Sequence, residues 1–404
     1  MMDKGAARIL QRIETLASYS AIDYGVLRAY LTPEHRAAHD QLAVWMKEAG
    51  LETWQDEAGN QWGRKVSQQA NAKTLIIGSH SDTVVDAGKY DGTLGVLMGI
   101  EALDVLQDVE LPFHVDVVGF ADEEGTRFNT TLLGSSAVAG VWQDSWWEIE
   151  DAQQISMAAA ATTFGLDPAN VKKAARVGDD LLGYLEVHIE QGPVLESLDL
   201  AVGVVTAIAG AKRYLFSLEG LAGHAGTVPI SLRQDALCAV AEMVVFIEAF
   251  AKQHDIVATV GRLDIASAAV NVIPGHVNFS LDIRSQDQQQ LEACCETLMT
   301  ELDRIATARN VRLSGEKIYE ASAAPCSKDI QHKWAQVVED ITHKPAKFLP
   351  SGAGHDAMVM ANITDIGMLF MRCEKGISHN PRENVIKEDV ATALDCLLGL
   401  IKTY

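Results

Sequence analysis

The sequence predicts an α/β protein that is interrupted by a ferredoxin-like insertion, and three observations support this fold class. Up to about residue 209, amphipathic helical stretches alternate with apolar, β-branched strand patterns, which is typical of a sheet covered by helices. From residue 210 the predicted order becomes β-α-β-β-α-β, the order of a ferredoxin-like unit. The α/β pattern resumes near residue 327. We therefore expect one domain over 1–209 and 327–404, and an inserted domain over 210–326.

The first domain contains clear helix and strand patterns. A helix is predicted over 33–49, because Pro33 suits a first helical position, Thr32 before it can cap the helix, and Gly50 follows its end. The run TLIIGSH is apolar and β-branched without alternation, which indicates a parallel strand buried on both faces. Open α/β sheets place their functional sites at the carboxyl ends of such strands.

The inserted domain is predicted from its own patterns. Helices are expected from about residue 231, where Ser231 and Gln234 fit a capping box, and over 286–308. In VNFSLDIRS apolar and polar residues alternate, so Arg284 is expected on the polar face of a strand. A surface salt bridge would also explain an arginine there. Strands are predicted near 212–219, 256–264, 276–284 and 310–319.

The segment GSHSDTVVDAGKYDGTLG has the most informative chemistry. His80 ends the strand TLIIGSH, and Asp82 is close enough in sequence to orient its imidazole. Asp91 follows in a glycine-rich loop, where a carboxylate can turn toward the same point and bridge two metal ions. An isolated H-x-D pattern is weak evidence, because a histidine at a strand end is more often structural.

Further ligand types follow other predicted strands. Asp122, Glu123 and Glu124 come directly after HVDVVGF, so one carboxylate can bind metal while its neighbour remains free to move protons. In YLEVHIEQG the polar residues, among them His188, share one face, a pattern that also fits a solvated strand. His379 lies in the turn-rich loop GISHNP after the apolar strand IGMLFM.

These side chains form a mixed nitrogen and oxygen ligand set with one bridging carboxylate and no thiolate. Such a set suits two divalent ions about 3.5 to 4 Å apart, with positions left open for water and substrate. Zn²⁺ or Mn²⁺ is expected, and Co²⁺ or Ni²⁺ would also be accepted. The predicted ligands are His80, Asp91, Glu124, His188 and His379.

The motifs resemble those of the amidase/hydantoinase/carbamoylase family in the dinuclear M20 metallopeptidase clan, from about Thr32 to the C-terminus and in the family's order. The resemblance implies an aminopeptidase-like catalytic domain with a ferredoxin-like lid and dimerisation domain. The motifs are GSHSDTVVDAGKYDGTLG, FADEEGTRF, YLEVHIEQGPVLE, GHAGTVP, NVIPG, LDIRS, SGAGHDAM and GISHNP.

The resemblance also implies a role for each matching residue. His80 and His188 would hold one ion, Glu124 and His379 the other, and Asp91 both. Glu123 would act as general base, Asp82 would support it as a catalytic-site residue, and His224 would polarise the scissile carbonyl. The residues expected to bind substrate are Gln191, Arg213, His224, Asn271, Arg284, Gly354 and His355.

The implied reaction is hydrolysis of a ureido C–N bond in a substrate that carries a carboxylate. DAGKYDG, HAGTVP followed by LRQDA, and GMLFMRCEKGISH are most similar to enzymes acting on allantoate, whereas hydrolases of N-carbamoyl-L-amino acids and β-ureidopropionate remain alternatives. One position departs from the allantoate pattern, since Ala211 stands where glutamine is expected. A peptidase or N-acyl-amino-acid deacylase of the same clan, or a non-enzymatic binding protein, is a more remote alternative.

Composition limits the partners. The 404 residues are 48% hydrophobic, enough for two globular domains. A formal net charge of -22 argues against binding nucleic acid or an anionic membrane surface. The N-terminal stretch has no apolar signal-type core, and six cysteines show no C-x-x-C spacing, so a cytoplasmic location is expected. The resemblance implies a homodimer in which the inserted domain of one chain reaches toward its partner's metals.

Overall fold

A computed structural model describes residues 2–266 and 269–404, and the chain divides into two compact units. The first unit comprises Met1–Thr206 and Cys326–Tyr404, and the inserted unit comprises Ala207–Pro325. Met1, Ser267 and Ala268, which fall within the predicted domain ranges, lie outside the described residues.

The described residues alternate between helices and strands in both units. The helices are α1 (Met2–Ala17), α2 (Pro33–Glu48), α3 (Thr93–Val105), α4 (Leu133–Val138), α5 (Met157–Phe164), α6 (Val194–Ser197), α7 (Ala236–His254), α8 (Gln288–Ala308), α9 (Lys328–Thr342), α10 (Asp356–Met360) and α11 (Lys387–Ile401). The strands are β1 (Glu52–Gln55), β2 (Gln61–Lys65), β3 (Thr74–His80), β4 (His114–Phe120), β5 (Leu181–Ile189), β6 (Val202–Ile208), β7 (Gly210–Glu219), β8 (Gly223–His224), β9 (Val257–Thr259), β10 (Leu263–Ile265), β11 (Val272–Ile273), β12 (His276–Ser285), β13 (Arg312–Ala321), β14 (Ala324–Pro325), β15 (Phe348–Ser351) and β16 (Ile366–Met371).

The first unit is built on a mixed sheet with the strand order β1-β2-β4-β3-β5-β16-β6. Strands β3, β4, β5 and β16 are parallel neighbours, and every residue of β3 is buried. The strand predicted over TLIIGSH is therefore confirmed. Helices α1, α3, α9 and α11 contribute apolar residues to the core around these strands. The parallel strands end at one edge of the sheet, where open α/β sheets carry their sites.

Two local predictions in this unit can be compared with the structure. Helix α2 begins at Pro33, and the Thr32 hydroxyl accepts the His35 N–H at 3.3 Å, as expected for an N-cap. In β5 all residues from Gly183 to Ile189 are buried. The alternative of a solvated strand face for His188 is therefore wrong, because neighbouring strands and helices cover both faces of a central parallel strand.

The inserted unit is an antiparallel sheet in the order β10-β12-β7-β13, with α7 and α8 packed on one face. Along the chain, β7, α7, the short strands β9 and β10, β12, α8 and β13 follow the predicted β-α-β-β-α-β order, and the role of this unit as a lid and dimerisation domain remains a prediction. The strand expected over 256–264 is two short strands, β9 and β10, which pair with different parts of β12. In β12 the apolar residues are buried and the alternate polar residues are more exposed, so Arg284 lies on the predicted polar face.

The predicted capping box at the start of α7 is wrong. The helix begins at Ala236, and the Asp235 carboxylate accepts the Cys238 N–H at 3.0 Å. The carbonyl of Gln234 instead accepts the N–H of Leu221 at 2.9 Å, which holds the backbone outside the helix. Ser231 lies in a separate short 3₁₀ helix, Ile230–Leu232. Asp235 stands directly before the apolar run and is the residue that caps the helix, because aspartate is as good an N-cap as serine.

The six cysteines are free thiols, and five of them are buried. Within residues 2–266 and 269–404, no helix combines the length and the apolar character needed to cross a membrane.

Candidate metal centre

The five predicted metal ligands come together in the first unit. His80 is the last residue of β3, and His188 is the penultimate residue of β5. Glu124 follows the end of β4, Asp91 lies just before α3, and His379 lies in the loop between β16 and α11. Residues from five distant parts of the chain thus meet at the carboxyl edge of the parallel strands, as the sequence predicted.

Asp91 occupies the centre of this cluster. Its Oδ1 lies 3.1 Å from His188 Nε2 and 3.7 Å from His80 Nε2. Its Oδ2 lies 3.1 Å from His379 Nε2, which in turn is 3.3 Å from Glu124 Oε1. One carboxylate oxygen therefore faces one pair of side chains, and the other oxygen faces the second pair.

The donor set fits metal ions. The ligand atoms of His80, Asp91 and His188 lie within 4.8 Å of one another, and those of Asp91, Glu124 and His379 form a second such group. Asp91 Oδ1 and His188 Nε2 are buried and have no hydrogen-bond partner. Burying unpaired polar atoms costs free energy, and a bound divalent cation would satisfy both of them.

Neighbouring acceptors orient the two buried histidines. His80 Nδ1 lies 3.1 Å from the carbonyl oxygen of Asp82 and 3.4 Å from its Oδ1. His188 Nδ1 lies 2.9 Å from the carbonyl oxygen of Ile189. Because Nδ1 of each ring faces an acceptor, the tautomer protonated there leaves Nε2 free to bind a metal.

Asp82 also holds the segment that carries the two glutamates. Its carboxylate accepts the N–H of Glu123 at 2.9 Å and the N–H of Glu124 at 3.1 Å. Asp82 therefore connects the ends of β3 and β4, and it fixes the backbone from which both glutamate side chains extend.

A glycine makes the close approach of α3 possible. Gly92 is the N-cap of this helix and has a positive φ of 64°. A Cβ atom at this position would lie 2.4 Å from the His80 ring. Any side chain at residue 92 would therefore displace the His80 ring, which explains the glycine after the bridging aspartate.

The electrostatics of the cluster favour cations. Asp91 and Glu124 raise the pKa of His379 to about 10 by hydrogen bonding to its ring. Glu123 is only 9% exposed, and burial together with neighbouring Glu124 raises its pKa well above the usual range. A raised pKa makes a carboxyl group a stronger base when it is ionised.

Three of the predicted substrate-binding residues border this cluster. Gln191 Nε2 donates to Asp91 Oδ2 at 3.0 Å, and its buried Oε1 has no hydrogen-bond partner. His355 packs edge-on against His188 with ring centroids 4.5 Å apart, and burial lowers the pKa of His355 well below the usual range. A Cβ atom on Gly354 would lie 3.5 Å from Glu123 Oε1.

Two other predicted site residues share a β-ribbon of the inserted unit. His224 is exposed and pairs with Val272, the residue after Asn271. The Asn271 carbonyl accepts the N–H of Ala225 at 3.0 Å, and His224 Nδ1 accepts the N–H of Gly226 at 3.1 Å. The backbone segments that carry His224 and Asn271 are therefore neighbours.

The two predicted arginines share one carboxylate on the helix-free face of the inserted sheet. Arg284 donates to Asp282 Oδ1 at 2.8 Å and to Oδ2 at 3.0 Å. Arg213 donates to Asp282 Oδ2 at 2.8 Å and lies over the Tyr319 ring. Ala211 is the cross-strand partner of Arg284. This is the salt bridge that the sequence allowed as an alternative, and carboxylate binding by Arg284 remains a prediction.

The sequence did not indicate Glu383, a buried residue that contacts the backbone beside the ligand Asp91. Its carboxylate accepts the N–H of Tyr90 at 2.8 Å and the N–H of Asp91 at 3.1 Å. Burial and the nearby Asp91 raise the pKa of Glu383 to about 7. The only sequence feature that could have indicated it is its position four residues after His379.

Comparison with known proteins identifies the family. Residues 76–403 match the model of peptidase family M20/M25/M40, and the chain belongs to this family. It is 40% identical to an N-carbamoyl-L-amino acid amidohydrolase from Geobacillus stearothermophilus, over 92% of each chain. It is 37% identical to allantoate deiminase 2 from Glycine max, over 100% of this chain and 89% of the relative.

A solved structure agrees with these relatives. The crystal structure of an amidase of the hydantoinase/carbamoylase family from Burkholderia multivorans superimposes with a TM-score of 0.92 at 30% identity, covering 98% of this chain and 97% of the other. The family predicted from the motifs, with its α/β fold, is therefore confirmed.

Proposed function

We propose that this protein is a metal-dependent amidohydrolase that cleaves the ureido C–N bond of a substrate bearing a carboxylate. The observation that carries the proposal is the position of Asp91, whose two oxygens face two separate ligand groups beside the buried Glu123. Relatives of two ureido-hydrolysing kinds support the reaction class, because both are more than a third identical over most of the chain.

Two divalent ions per subunit would occupy the cluster. His80, His188 and Asp91 would hold one ion, and Glu124, His379 and Asp91 the other. When bound, such ions polarise a carbonyl oxygen and lower the pKa of water. Zn²⁺ or Mn²⁺ suits these nitrogen and oxygen donors, and Co²⁺ or Ni²⁺ would also bind.

The chain's own residues would then move protons and orient the substrate. Glu123 takes a proton from the attacking water and delivers it to the leaving nitrogen, a role suited to its raised pKa. Asp82 keeps Glu123 in place through the backbone N–H bonds described above. His224 donates a hydrogen bond to the ureido oxygen as negative charge develops there.

Substrate recognition would depend on groups that match a carboxylate and an amide. The guanidinium of Arg284 can bind a carboxylate with two parallel hydrogen bonds, and Arg213 adds a second cation on the same sheet face. The free amide oxygen of Gln191 and the side chain of Asn271 supply neutral hydrogen-bonding groups. Gly354 and His355 would line the site beside Glu123.

Allantoate is our first candidate substrate, and its hydrolysis would give ureidoglycine, ammonia and CO₂. The motifs DAGKYDG and GMLFMRCEKGISH favour it. A second candidate class is N-carbamoyl-L-amino acids, with β-ureidopropionate related to them. Ala211 favours this second class, because it lies directly across from Arg284 where a glutamine is expected in an allantoate enzyme.

One assay panel tests the proposal. Metal-reconstituted protein is offered allantoate, several N-carbamoyl-L-amino acids, β-ureidopropionate and ureidoglycolate, and ammonia release is compared as kcat/KM. Dipeptides and N-acyl amino acids are included with a separate assay for the free amino group that their hydrolysis releases, because a peptidase or deacylase would hydrolyse those instead and would release no ammonia. We expect turnover of ureido acids only. No turnover of any ureido acid with Zn²⁺, Mn²⁺, Co²⁺ or Ni²⁺ would refute the proposal and favour a binding protein.

A further inference from the structure

Glu383 connects the backbone around Asp91 with the loop that carries His379. The side chain is only 3% exposed. Its Oε1 accepts the N–H groups of both Tyr90 and Asp91, and its Oε2 accepts the hydroxyl of Ser378 at 3.0 Å. The Glu383 carboxylate therefore joins the loop around Ser378 to the segment around Asp91, which lies 292 positions before Glu383 in the chain.

Ser378 extends this connection to the side chain of Asp91. Its hydroxyl lies 3.2 Å from Asp91 Oδ2, the oxygen that faces His379. Gln191 Nε2 donates to the same hydroxyl at 3.2 Å. Ser378 and Gln191 thus contact the Asp91 oxygen that belongs to the second predicted ion, and Glu383 is linked to that oxygen through the Ser378 hydroxyl.

The packing around Glu383 leaves it little freedom. A Cβ atom on Gly88 would lie 2.4 Å from the Glu383 side chain, so the chain before Asp91 passes directly against it. The carboxylate is therefore held by contact with the backbone as well as by hydrogen bonds. Side chains fixed in this way can set the geometry of a neighbouring ligand.

We propose that Glu383 is a positioning residue that fixes Asp91 relative to His379 and thereby sets the affinity of the second metal ion. The inference rests on the proposed function only in that two ions bind at this cluster. Residues that orient metal ligands from outside typically change metal affinity by about 10- to 100-fold when replaced. Glu383 is not proposed to touch substrate or either ion.

Calorimetric titration of the metal-free protein with Mn²⁺ tests the proposal without any substrate. The wild-type protein should bind two ions per chain. Glu383→Gln keeps the side-chain shape but replaces one of its two acceptor oxygens by an NH₂ donor, so it should bind one ion normally and the second roughly 10- to 100-fold more weakly. Excess Mn²⁺ should restore most of the lost hydrolysis, because Glu123 is untouched.

Asp56→Asn is the matched control, since the buried Asp56 carboxylate also accepts two backbone N–H groups, from Ala58 and Asn60, in a turn with no predicted ligand. It should change melting temperature without changing metal affinity. Ser378→Ala is a milder change and should also lower the affinity for the second Mn²⁺ ion. This variant keeps the proposal testable if Glu383→Gln does not fold.

Wild-type affinity for both ions in Glu383→Gln would overturn the proposal, as would equal weakening in Asp56→Asn. Failure of the wild-type protein to bind two ions would overturn it together with the proposed function. Binding of two ions without hydrolysis of any ureido acid would refute the proposed function alone.

Discussion

The metal-ligand cluster of the first unit and the arginine pair of the inserted unit differ in whether their polar groups already have partners. In the cluster, Asp91 and His188 are buried, and each keeps one polar atom without a hydrogen-bond partner. In the inserted unit, Arg284 and Arg213 are partly exposed and are both satisfied by Asp282. The cluster needs a cation to complete it, whereas the arginines are already paired.

We therefore expect the cluster to determine whether the reaction occurs, and the arginine pair to determine which substrate is bound. Because the cluster is held by backbone contacts and burial, a change there should abolish the reaction or the metal. A substrate carboxylate can bind Arg284 only in competition with Asp282 or by adding to it, so a change there should alter selectivity more than chemistry.

The largest effect is expected from Glu123→Gln. The amide cannot accept a proton from water, so kcat should fall by about 10² to 10⁴, the range for loss of a general base. The metal content should remain normal, as measured by elemental analysis of the purified protein.

His188→Ala is the counterpart of this variant, because it removes a ligand and should lower the metal content itself. The assignment of Glu123 as base fails if Glu123→Gln loses metal as His188→Ala does, or if it hydrolyses substrate at nearly the wild-type rate.

Arg284→Ala tests recognition. Loss of hydrogen bonds to a charged group costs about 1.5 to 3 kcal/mol, so kcat/KM for a ureido acid should fall roughly 10- to 150-fold. An amide analogue of the same substrate should be affected much less. Arg262→Ala is the control, since Arg262 is an exposed arginine of the same unit that pairs with Asp264. Equal losses for acid and amide would show that Arg284 supports the fold.

Mixed dimers test whether His224 acts in its own subunit or in a partner's site, as it would in the homodimer that the family resemblance implies. His224→Ala and Glu123→Gln should each be nearly inactive alone. Co-refolded in equal amounts they should approach about a quarter of wild-type activity, because half the dimers are mixed and one of their two sites has both wild-type residues. If mixed dimers form but stay inactive, His224 either acts in the site of its own subunit or takes no part in catalysis.

The smallest effect is expected from Ala211→Gln. A glutamine across from Arg284 adds one neutral hydrogen-bonding group beside the predicted carboxylate site. One such bond is worth about 0.5 to 1.5 kcal/mol, so the ratio of allantoate to N-carbamoyl-amino-acid kcat/KM should rise roughly 2- to 10-fold. An unchanged ratio would mean that position 211 does not determine substrate choice.

The sequence predicted much of the fold because its strongest patterns are local. TLIIGSH is apolar on both faces, and a central parallel strand is the environment that such a run requires. The start of α7 could not be predicted as well, because Ser231 and Asp235 both satisfy capping chemistry and only tertiary contacts decide between them.

Local patterns also indicated the candidate ligands, whereas the role of each residue, such as Glu123 as base, was implied by the family resemblance. His80, Glu123 and His188 lie at or just beyond strand ends, where a polar residue interrupts an apolar run. Glu383 has no such signature, because the two backbone N–H groups that connect it to the cluster belong to residues almost three hundred positions away. The pairing of Arg284 with Asp282 was likewise not specified, since alternation identifies a strand's face but not its side-chain contacts.

The central claim is that Asp91 joins two metal ions in one centre. Mn²⁺-reconstituted protein examined by electron paramagnetic resonance tests it most directly, because two Mn²⁺ ions bridged by a carboxylate about 3.5 to 4 Å apart give an exchange-coupled spectrum. We predict this spectrum at two ions per chain for the wild-type protein, and its loss in Asp91→Ala. A single isolated Mn²⁺ per chain, or a coupled spectrum that survives in Asp91→Ala, would contradict the claim.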